Sequence, residues 1–109
     1  HLPGHVYWLD RNNIFLGSND LQAKAAGFEN GYEIIGKSNY EMSWRDHADA
    51  LNAVNNKVMS TGQEHSVEEI GKTIDGKEAI FLSKKVPLLD DKSNIVGILK
   101  SISLISFIL

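Results

Sequence analysis

The sequence predicts one α+β domain built on a five-stranded antiparallel sheet. Three observations carry this prediction: alternating apolar segments near the start, one stretch with helical spacing in the middle, and three strand-like segments after it. The predicted order is two strands, short helical pieces, one longer helix and three strands, with the helices packed on the concave face of the sheet. With 109 residues, 42% of them hydrophobic, the chain can build a single core.

The first hairpin is predicted from alternation over residues 6–10. Tyr7 and Leu9 fall on one face of the strand, and Trp8 falls on the other. The pair Asn12-Asn13 then suits a tight turn, because asparagine tolerates the left-handed backbone conformation that such turns need.

The second strand leads directly into a short helix. Ile14, Leu16 and Ser18 are predicted to share a face of that strand. Asn19 or Asp20 follows, and either side chain can accept from the free N–H groups at a helix start.

Short helical pieces fill the middle of the chain. The first is predicted over 21–26 and ends at Gly27, where a residue without Cβ can adopt positive φ. Further along, Ser38 and Glu41 have the spacing of a capping box, which predicts another helical turn.

One longer helix is predicted over 46–60. Leu51, Val54 and Val58 recur at helical spacing and would bury against the sheet, at about 1.5–3 kcal/mol each before entropy is subtracted. The opposite face would be solvated and carries Asn52, Asn55, Asn56 and Lys57.

Three strands are predicted to complete the sheet, over 63–72, 78–89 and from Ile95 onward. Asp75-Gly76 is a strong hairpin signal between the first two. Pro87 cannot donate a ladder hydrogen bond, which predicts a bulge, an edge or a strand end at that position.

Composition narrows the classes of function. The net charge of -3 and the pI of about 5.7 lack the basic footprint of a nucleic-acid-binding domain, so no nucleic-acid partner is expected. The chain has no cysteine, which excludes disulfides and thiolate zinc sites and suits a cytoplasmic location. The apolar tract at 98–109 is too short for a membrane span and contains Lys100 and three serines, so it is predicted to be a strand.

Six pieces of the chain, in this order and spacing, resemble one known family. They are VYWLDRNNIFLGSN, Asn19 at the strand-to-helix turn, Gly27 after the first helix, EIIGKSNYEM, VMSTGQ and VPLLDDKSNIVGIL. Together they resemble a PAS domain, most of all those of bacterial sensor histidine kinases. The resemblance covers nearly all of residues 1–109, which are expected to be a single sensor domain cut from a longer polypeptide, since the chain starts at His1.

The resemblance implies a fold and a manner of working. In such domains a five-stranded antiparallel sheet curls around the helices, and a small ligand or cofactor can lie between them. Flanking helices of a homodimer would pass a signal to an output region, here a histidine kinase in the same chain. The domain itself would bind rather than catalyse, without inserting in a membrane.

Two departures from the family pattern bear on function. Ile105 stands about where many members have the aspartate that starts the output linker, and the last strand is predicted to continue through it. The absence of cysteine also excludes a flavin–cysteine adduct and a thioester-linked chromophore.

Strand alternation together with the resemblance predicts the ligand-binding residues. A hydroxyl and an amide among apolar neighbours would orient a small polar ligand. The predicted set is Tyr7, Leu9, Leu16, Ser18, Gln22, Ala26 and Trp44. The alternative is that Ser18 and Gln22 only cap the turn, and that Trp44 is ordinary core.

A haem site is considered and not expected. Some members ligate haem iron through a histidine on the long helix, and His47 opens that helix here. Its neighbours Asp46 and Asp49 make the position polar and solvated. The other three histidines are too scattered to form a metal-ligand set.

Catalytic patterns are absent from the sequence. Glu68-Glu69 and Asp90-Asp91 are adjacent pairs whose members would point to opposite faces of a strand, and Lys84-Lys85 is predicted to be exposed.

The predicted function is therefore sensing of a small ligand. The alternatives are a ligand-free dimerisation module, or a small enzyme of another α+β fold.

Overall fold

The computed structural model describes residues 4–73 and 75–108. Its strands pair in the order β2-β1-β5-β4-β3, and every pairing is antiparallel. The elements in chain order are β1 His5–Asp10, β2 Phe15–Ser18, α1 Asp20–Ala26, α2 Ala48–Thr61, β3 His65–Lys72, β4 Glu78–Leu89 and β5 Ile95–Phe107, with single 3-10 turns at Asn39–Glu41 and Arg45–His47 before α2. The predicted fold class and element order are confirmed.

The turn between β1 and β2 is built by polar side chains. The Asp10 carboxylate accepts from the backbone N–H groups of Asn12 at 2.8 Å and Ile14 at 3.1 Å. Asn13 adopts φ 61°, the left-handed conformation predicted for this turn.

A bulge in β2 changes which of its side chains face the core. Trp8 pairs with Gly17 and Leu9 pairs with Phe15, so Leu16 has no partner across the ladder. Phe15 is fully buried, whereas Leu16 is 44% exposed on the other side of the sheet. The prediction that Leu16 faces the concave side was wrong, because one extra residue shifts the alternation.

Asn19 ties the start of α1 to β1. Its side-chain oxygen accepts from the N–H groups of Gln22 at 3.0 Å and Val6 at 3.3 Å. Of the two predicted caps, Asn19 is therefore the one used. Gly27 ends the helix at φ 104°, as predicted.

Helix α2 differs from its predicted pattern most clearly at Asn55. Val58 and Met59 are buried, and Leu51 and Val54 are half-buried, as helical spacing predicted. Asn55, however, is 1% exposed, so its assignment to the solvated face was wrong. The reason is a set of polar partners on the sheet and on the β1–β2 turn, described below.

The turn between β3 and β4 and the position of Pro87 in β4 agree with the sequence prediction. Gly76 adopts φ 83° in the turn between β3 and β4. Pro87 pairs with Ile98 of β5. It lies beyond Lys85, the last residue of β4 that pairs with β3, where Lys85 pairs with His65. Pro87 therefore lies at a local edge, where a missing N–H costs least.

One apolar core lies between the helices and the inner face of the sheet, by which we mean the face against which the helices pack. Its buried members are Tyr7, Leu9, Phe15, Ala26, Ile34, Met42, Val58, Met59 and Ile98. Within residues 4–73 and 75–108, no helix is long and apolar enough to span a membrane.

Candidate functional site

A cavity of about 300 Å³ lies between the inner face of the sheet, α1 and the start of α2. Its lining combines two aromatic rings, three titratable side chains, an amide and two aliphatic side chains. These are Tyr7, Gln22, Trp44, His47, Leu51, Glu69, Lys100 and Ile102.

Strand register brings the sheet side of the cavity together. Tyr7 of β1 pairs directly with Lys100 of β5, and Ile102 lies two residues further along the same strand face. Glu69 approaches from β3, on the far side of β4. The cavity floor therefore comes from three strands that are distant in sequence.

The aromatic wall of the cavity is held in place by packing and hydrogen bonds. The rings of Tyr7 and Trp44 stack with centroids 6.2 Å apart and planes at 22°. Trp44 Nε1 donates to Asn39 Oδ1 at 2.9 Å, and Asn39 Nδ2 donates to Asn52 Oδ1 at 2.8 Å. This anchoring fixes the indole, so a flat ligand would meet a preformed surface.

Gln22 places an amide at the cavity from α1. The side chain is buried, and its Oε1 accepts from His5 Nδ1 at 2.9 Å. Because this bond uses the carbonyl end, it directs the orientation of the amide and leaves the NH₂ end to other partners.

Two lysines face the interior from paired positions of β4 and β5. Lys85 pairs with Lys100 across the ladder. Lys85 is only 4% exposed, and its Nζ donates to Asn55 Oδ1 at 2.8 Å. The prediction that Lys85 is exposed was wrong, because alternation along β4 places it on the inner face beneath α2.

Burial disfavours the charged form of both lysines. Burial, with a smaller contribution from the charge of Lys100, lowers the pKa of Lys85 to about 8, and the Glu69 carboxylate partly opposes this. Burial likewise lowers the pKa of Lys100, again opposed by Glu69. Burial raises the pKa of Tyr7 above its usual value.

Asn55 extends this polar contact to the β1–β2 turn. Its Nδ2 donates to Asn13 Oδ1 at 2.8 Å, and Asn13 Nδ2 donates to Asn56 Oδ1 at 2.9 Å. A continuous set of hydrogen bonds therefore links Lys85 on the sheet, α2 and the first hairpin. Every buried side-chain nitrogen and oxygen atom among the described residues has a partner.

The lowered pKa of Lys85 predicts a pH-dependent stability. Its ordinary pKa of 10.5 falls to about 8 on folding, so the unfolded chain binds more protons between these values and stability rises with pH. From pH 7.5 to 9.5 we expect the free energy of unfolding to rise by about 2 kcal/mol more in the wild type than in Lys85→Met. Urea denaturation at several pH values measures this, and parallel profiles for the two proteins would contradict it.

Three of the seven predicted ligand-binding residues line the cavity: Tyr7, Gln22 and Trp44. Leu9 and Ala26 belong to the core instead. The roles of all five in binding a ligand remain predictions.

Leu16 and Ser18 lie elsewhere. Both line a separate surface groove together with Trp8 and Tyr32. The Ser18 hydroxyl donates to Asn19 O at 3.0 Å, which agrees with the alternative that this serine serves the turn. Neither residue lines the inner-face cavity, and the roles of both in binding a ligand remain predictions.

Five lining residues were not among the predicted ligand-binding residues: His47, Leu51, Glu69, Lys100 and Ile102. A signal for Lys100 was present, because it is the one charged residue within the apolar final strand. Glu69 gave no such signal, as β3 is mostly exposed and its acidic pair looks solvated.

His47 lies at the rim of the cavity, in the 3-10 turn that precedes α2, and is exposed. In the described part of the chain, no group of three or more His, Cys, Asp and Glu side chains could hold a metal ion. The expectation that haem is not bound stays a prediction.

Comparison with known proteins identifies the fold. No family model and no curated protein sequence matches this chain. Among solved structures, VqmA of Vibrio cholerae in a complex with ligand and DNA aligns with TM-score 0.81 and 24% identity, over 95% of this chain and 46% of VqmA. The chain thus spans about half the length of that protein.

Sensor kinases are also similar in structure. A sensory box sensor histidine kinase of Vibrio cholerae aligns with TM-score 0.75 and 12% identity, over 96% of this chain and 83% of that structure. The PAS domain of Bordetella pertussis BvgS aligns with TM-score 0.73 and 18% identity, over 95% and 78% respectively. With its five-stranded sheet, its helices on one face and these structural relatives, the chain has the PAS fold.

Proposed function

We propose that this chain is a sensory PAS domain that binds a small organic ligand in the inner-face cavity and regulates an attached output region. The observation that carries the proposal is the cavity itself: about 300 Å³, with a stacked aromatic wall and a lysine in its floor. Pockets of this size suit small metabolites. Support comes from VqmA, whose structures are described as bound to a ligand named DPO.

The signal would pass through a homodimer in the cytoplasm to the output region. A histidine kinase of a bacterial two-component system is one candidate, supported by the similar PAS domains of sensor kinases. A DNA-binding region is the second candidate, favoured by the higher TM-scores of VqmA, whose structures include a complex with ligand and DNA and a dimer in the absence of target DNA. The net charge of -3 favours a DNA contact outside this domain.

The structure gives little support to an enzyme. Catalysis by acid and base groups needs titratable side chains in contact inside the cavity. In the described ranges the ion pairs are Lys77–Asp75 and Lys84–Glu64, and neither pair lines the cavity. Sensing is therefore the better proposal.

Ligand binding is tested by thermal shift against a metabolite library and by native mass spectrometry. A ligand at ten times its Kd stabilises the protein by about 1.4 kcal/mol, and we expect the Tm to rise by about 5–10 °C. Ile102→Trp, which fills the cavity, should abolish the shift. Leu16→Trp on the outer groove is the control and should keep it.

The ligand-free dimerisation module predicts a different result. In that case no compound of the library shifts the Tm, and the purified protein carries no added mass. Such a result would contradict the ligand proposal and leave dimerisation as the function.

A further inference from the structure

We propose that two copies of this chain pair along the edge of β3 that does not contact β4. The two β3 strands run antiparallel, with Ile70 opposite the partner's Ile70, so that the two sheets form one continuous sheet. The inference rests on the homodimer of the proposed function and names its interface. It does not depend on which ligand is bound.

The two edge strands of the sheet differ in what covers them. β2 has four residues and a bulge, and a nearby segment bonds to its outer side: Phe15 N donates to Lys37 O and Gly36 N donates to Phe15 O, both at 2.8 Å. β3 has eight residues and pairs with β4 without a register shift. Among residues 4–73 and 75–108, no strand pairs with its other side. A long, regular and uncovered edge is a template for another strand.

The β3–β4 ladder shows which backbone groups of β3 point away from β4. Thr73 N donates to Lys77 O at 2.9 Å beside the turn. In the next pair, Lys72 with Glu78, the Glu78 carbonyl instead accepts from Ile108 N at 3.0 Å on the other side of β4. Hydrogen-bonded and non-hydrogen-bonded pairs alternate along an antiparallel ladder. The residues whose N–H and C=O groups point outward are therefore Ser66, Glu68, Ile70 and Lys72.

Charge selects both the register and the partner. With the two-fold axis at Ile70, Glu68 lies opposite the partner's Lys72, and Lys72 lies opposite the partner's Glu68. Moving the axis to Glu68 or Glu69 would place like carboxylates opposite each other, which is destabilising. Moving it to Gly71 would remove both Glu–Lys pairs. The edge is therefore complementary to itself in one register, and this favours a second copy over an unrelated strand.

The side chains at this edge are available for such a contact. Ile70 is 73% exposed, and Glu68 and Lys72 are exposed as well. In the part of the chain that the structure describes, no ion pair within 4.0 Å involves Glu68 or Lys72. Pairing would therefore bury an apolar side chain and bring opposite charges together without breaking an ion pair of the monomer.

Cysteine substitution tests the register directly, because the chain has no cysteine of its own. In the proposed dimer the Cα atoms of the two Ile70 residues are about 5.5 Å apart, which a disulfide can span. Ile70→Cys should therefore form covalent dimers on mild oxidation. Glu68→Cys and Lys72→Cys should each stay monomeric on a denaturing gel when oxidised alone, and should form a covalent dimer when the two are mixed.

Charge reversal measures the contribution of the Glu–Lys pairs. Glu68→Lys or Lys72→Glu places like charges opposite each other on both sides of the axis, so we expect the dimer Kd from analytical ultracentrifugation to rise at least about tenfold. The double variant Glu68→Lys/Lys72→Glu restores opposite charges and should recover the wild-type Kd. Lys92→Glu, in the exposed turn after β4, makes the same change in net charge as Lys72→Glu and should leave the Kd unchanged.

A proline tests the backbone pairing itself. Ile70→Pro removes an N–H group that points away from β4, so the ladder with β4 keeps its hydrogen bonds. We expect this variant to be monomeric with an unchanged far-UV circular dichroism spectrum.

Two kinds of result would overturn the inference. A dimer whose Kd is unchanged in Glu68→Lys, Lys72→Glu and Ile70→Pro, or an Ile70→Cys protein that crosslinks no more than Glu68→Cys, would exclude this interface and leave the homodimer of the proposed function intact. A wild-type chain that stays monomeric up to millimolar concentration would exclude the homodimer as well. Ligand binding is measured separately by thermal shift, so its failure is distinguishable from both.

Discussion

Asn55→Leu is expected to lower the free energy of unfolding by about 3 kcal/mol. Asn55 accepts from the Lys85 ammonium and donates to Asn13 Oδ1, and it is almost fully buried. Leucine has a similar volume but no polar atoms, so it would leave a buried charge and a carbonyl without their partners. Urea denaturation of the variant and the wild type measures the loss.

A double variant isolates the Lys85–Asn55 contact. Asn55→Leu combined with Lys85→Met removes both partners, and we expect at least half of the lost stability to return, because replacing a polar pair by apolar groups is nearly neutral. Lys57→Ala is the control on the exposed side of α2, expected to cost less than about 1 kcal/mol. If the two single losses simply add in the double variant, the contact carries no coupling energy.

Gly97→Ala is expected to destabilise the protein by about 3 kcal/mol or more. Gly97 lies in β5 next to β1, and a Cβ at this position would come within 2.0 Å of the Leu9 carbonyl oxygen. Leu9 O belongs to the backbone of a paired strand, so no side-chain rotation relieves the contact and the two central strands must separate.

Gly71→Ala is the matched control for this prediction. Gly71 is also a strand glycine, but a Cβ there would meet the Phe81 ring at 3.2 Å, and that side chain can move. We expect a change of less than about 1 kcal/mol in the free energy of unfolding, measured by urea denaturation. Equal losses in the two variants would show that the close approach at Gly97 is not what determines stability.

Local chemistry explains where the sequence predictions succeeded. Asn13 and Gly27 adopt the positive φ that their turns require. Asn19 caps α1 with its own side chain, and Glu41 Oε2 accepts from Ser38 N at 2.8 Å. Each of these features depends on residues a few positions apart, so the pattern of residue types was sufficient.

The failures share a different cause. Leu16 was assigned to the inner face by strict alternation, and the β2 bulge moved it outward. Asn55 was assigned to solvent by helical spacing, and Lys85 by its charge, yet each is buried because the other satisfies it. A residue's partner across the sheet or across a helix contact cannot be read from its own neighbours in sequence.

The sequence by itself determined the fold class, the order of the elements and most turns and caps, since these follow from local backbone preferences and hydrophobic periodicity. Only the tertiary structure decided the composition of the cavity. Strand pairing placed Lys100 beside Tyr7 and brought Glu69 to the same face, and the packing of α2 added Leu51. Such placements depend on strand register and long-range contacts, so the charged residues that meet at the cavity could not be predicted from the sequence.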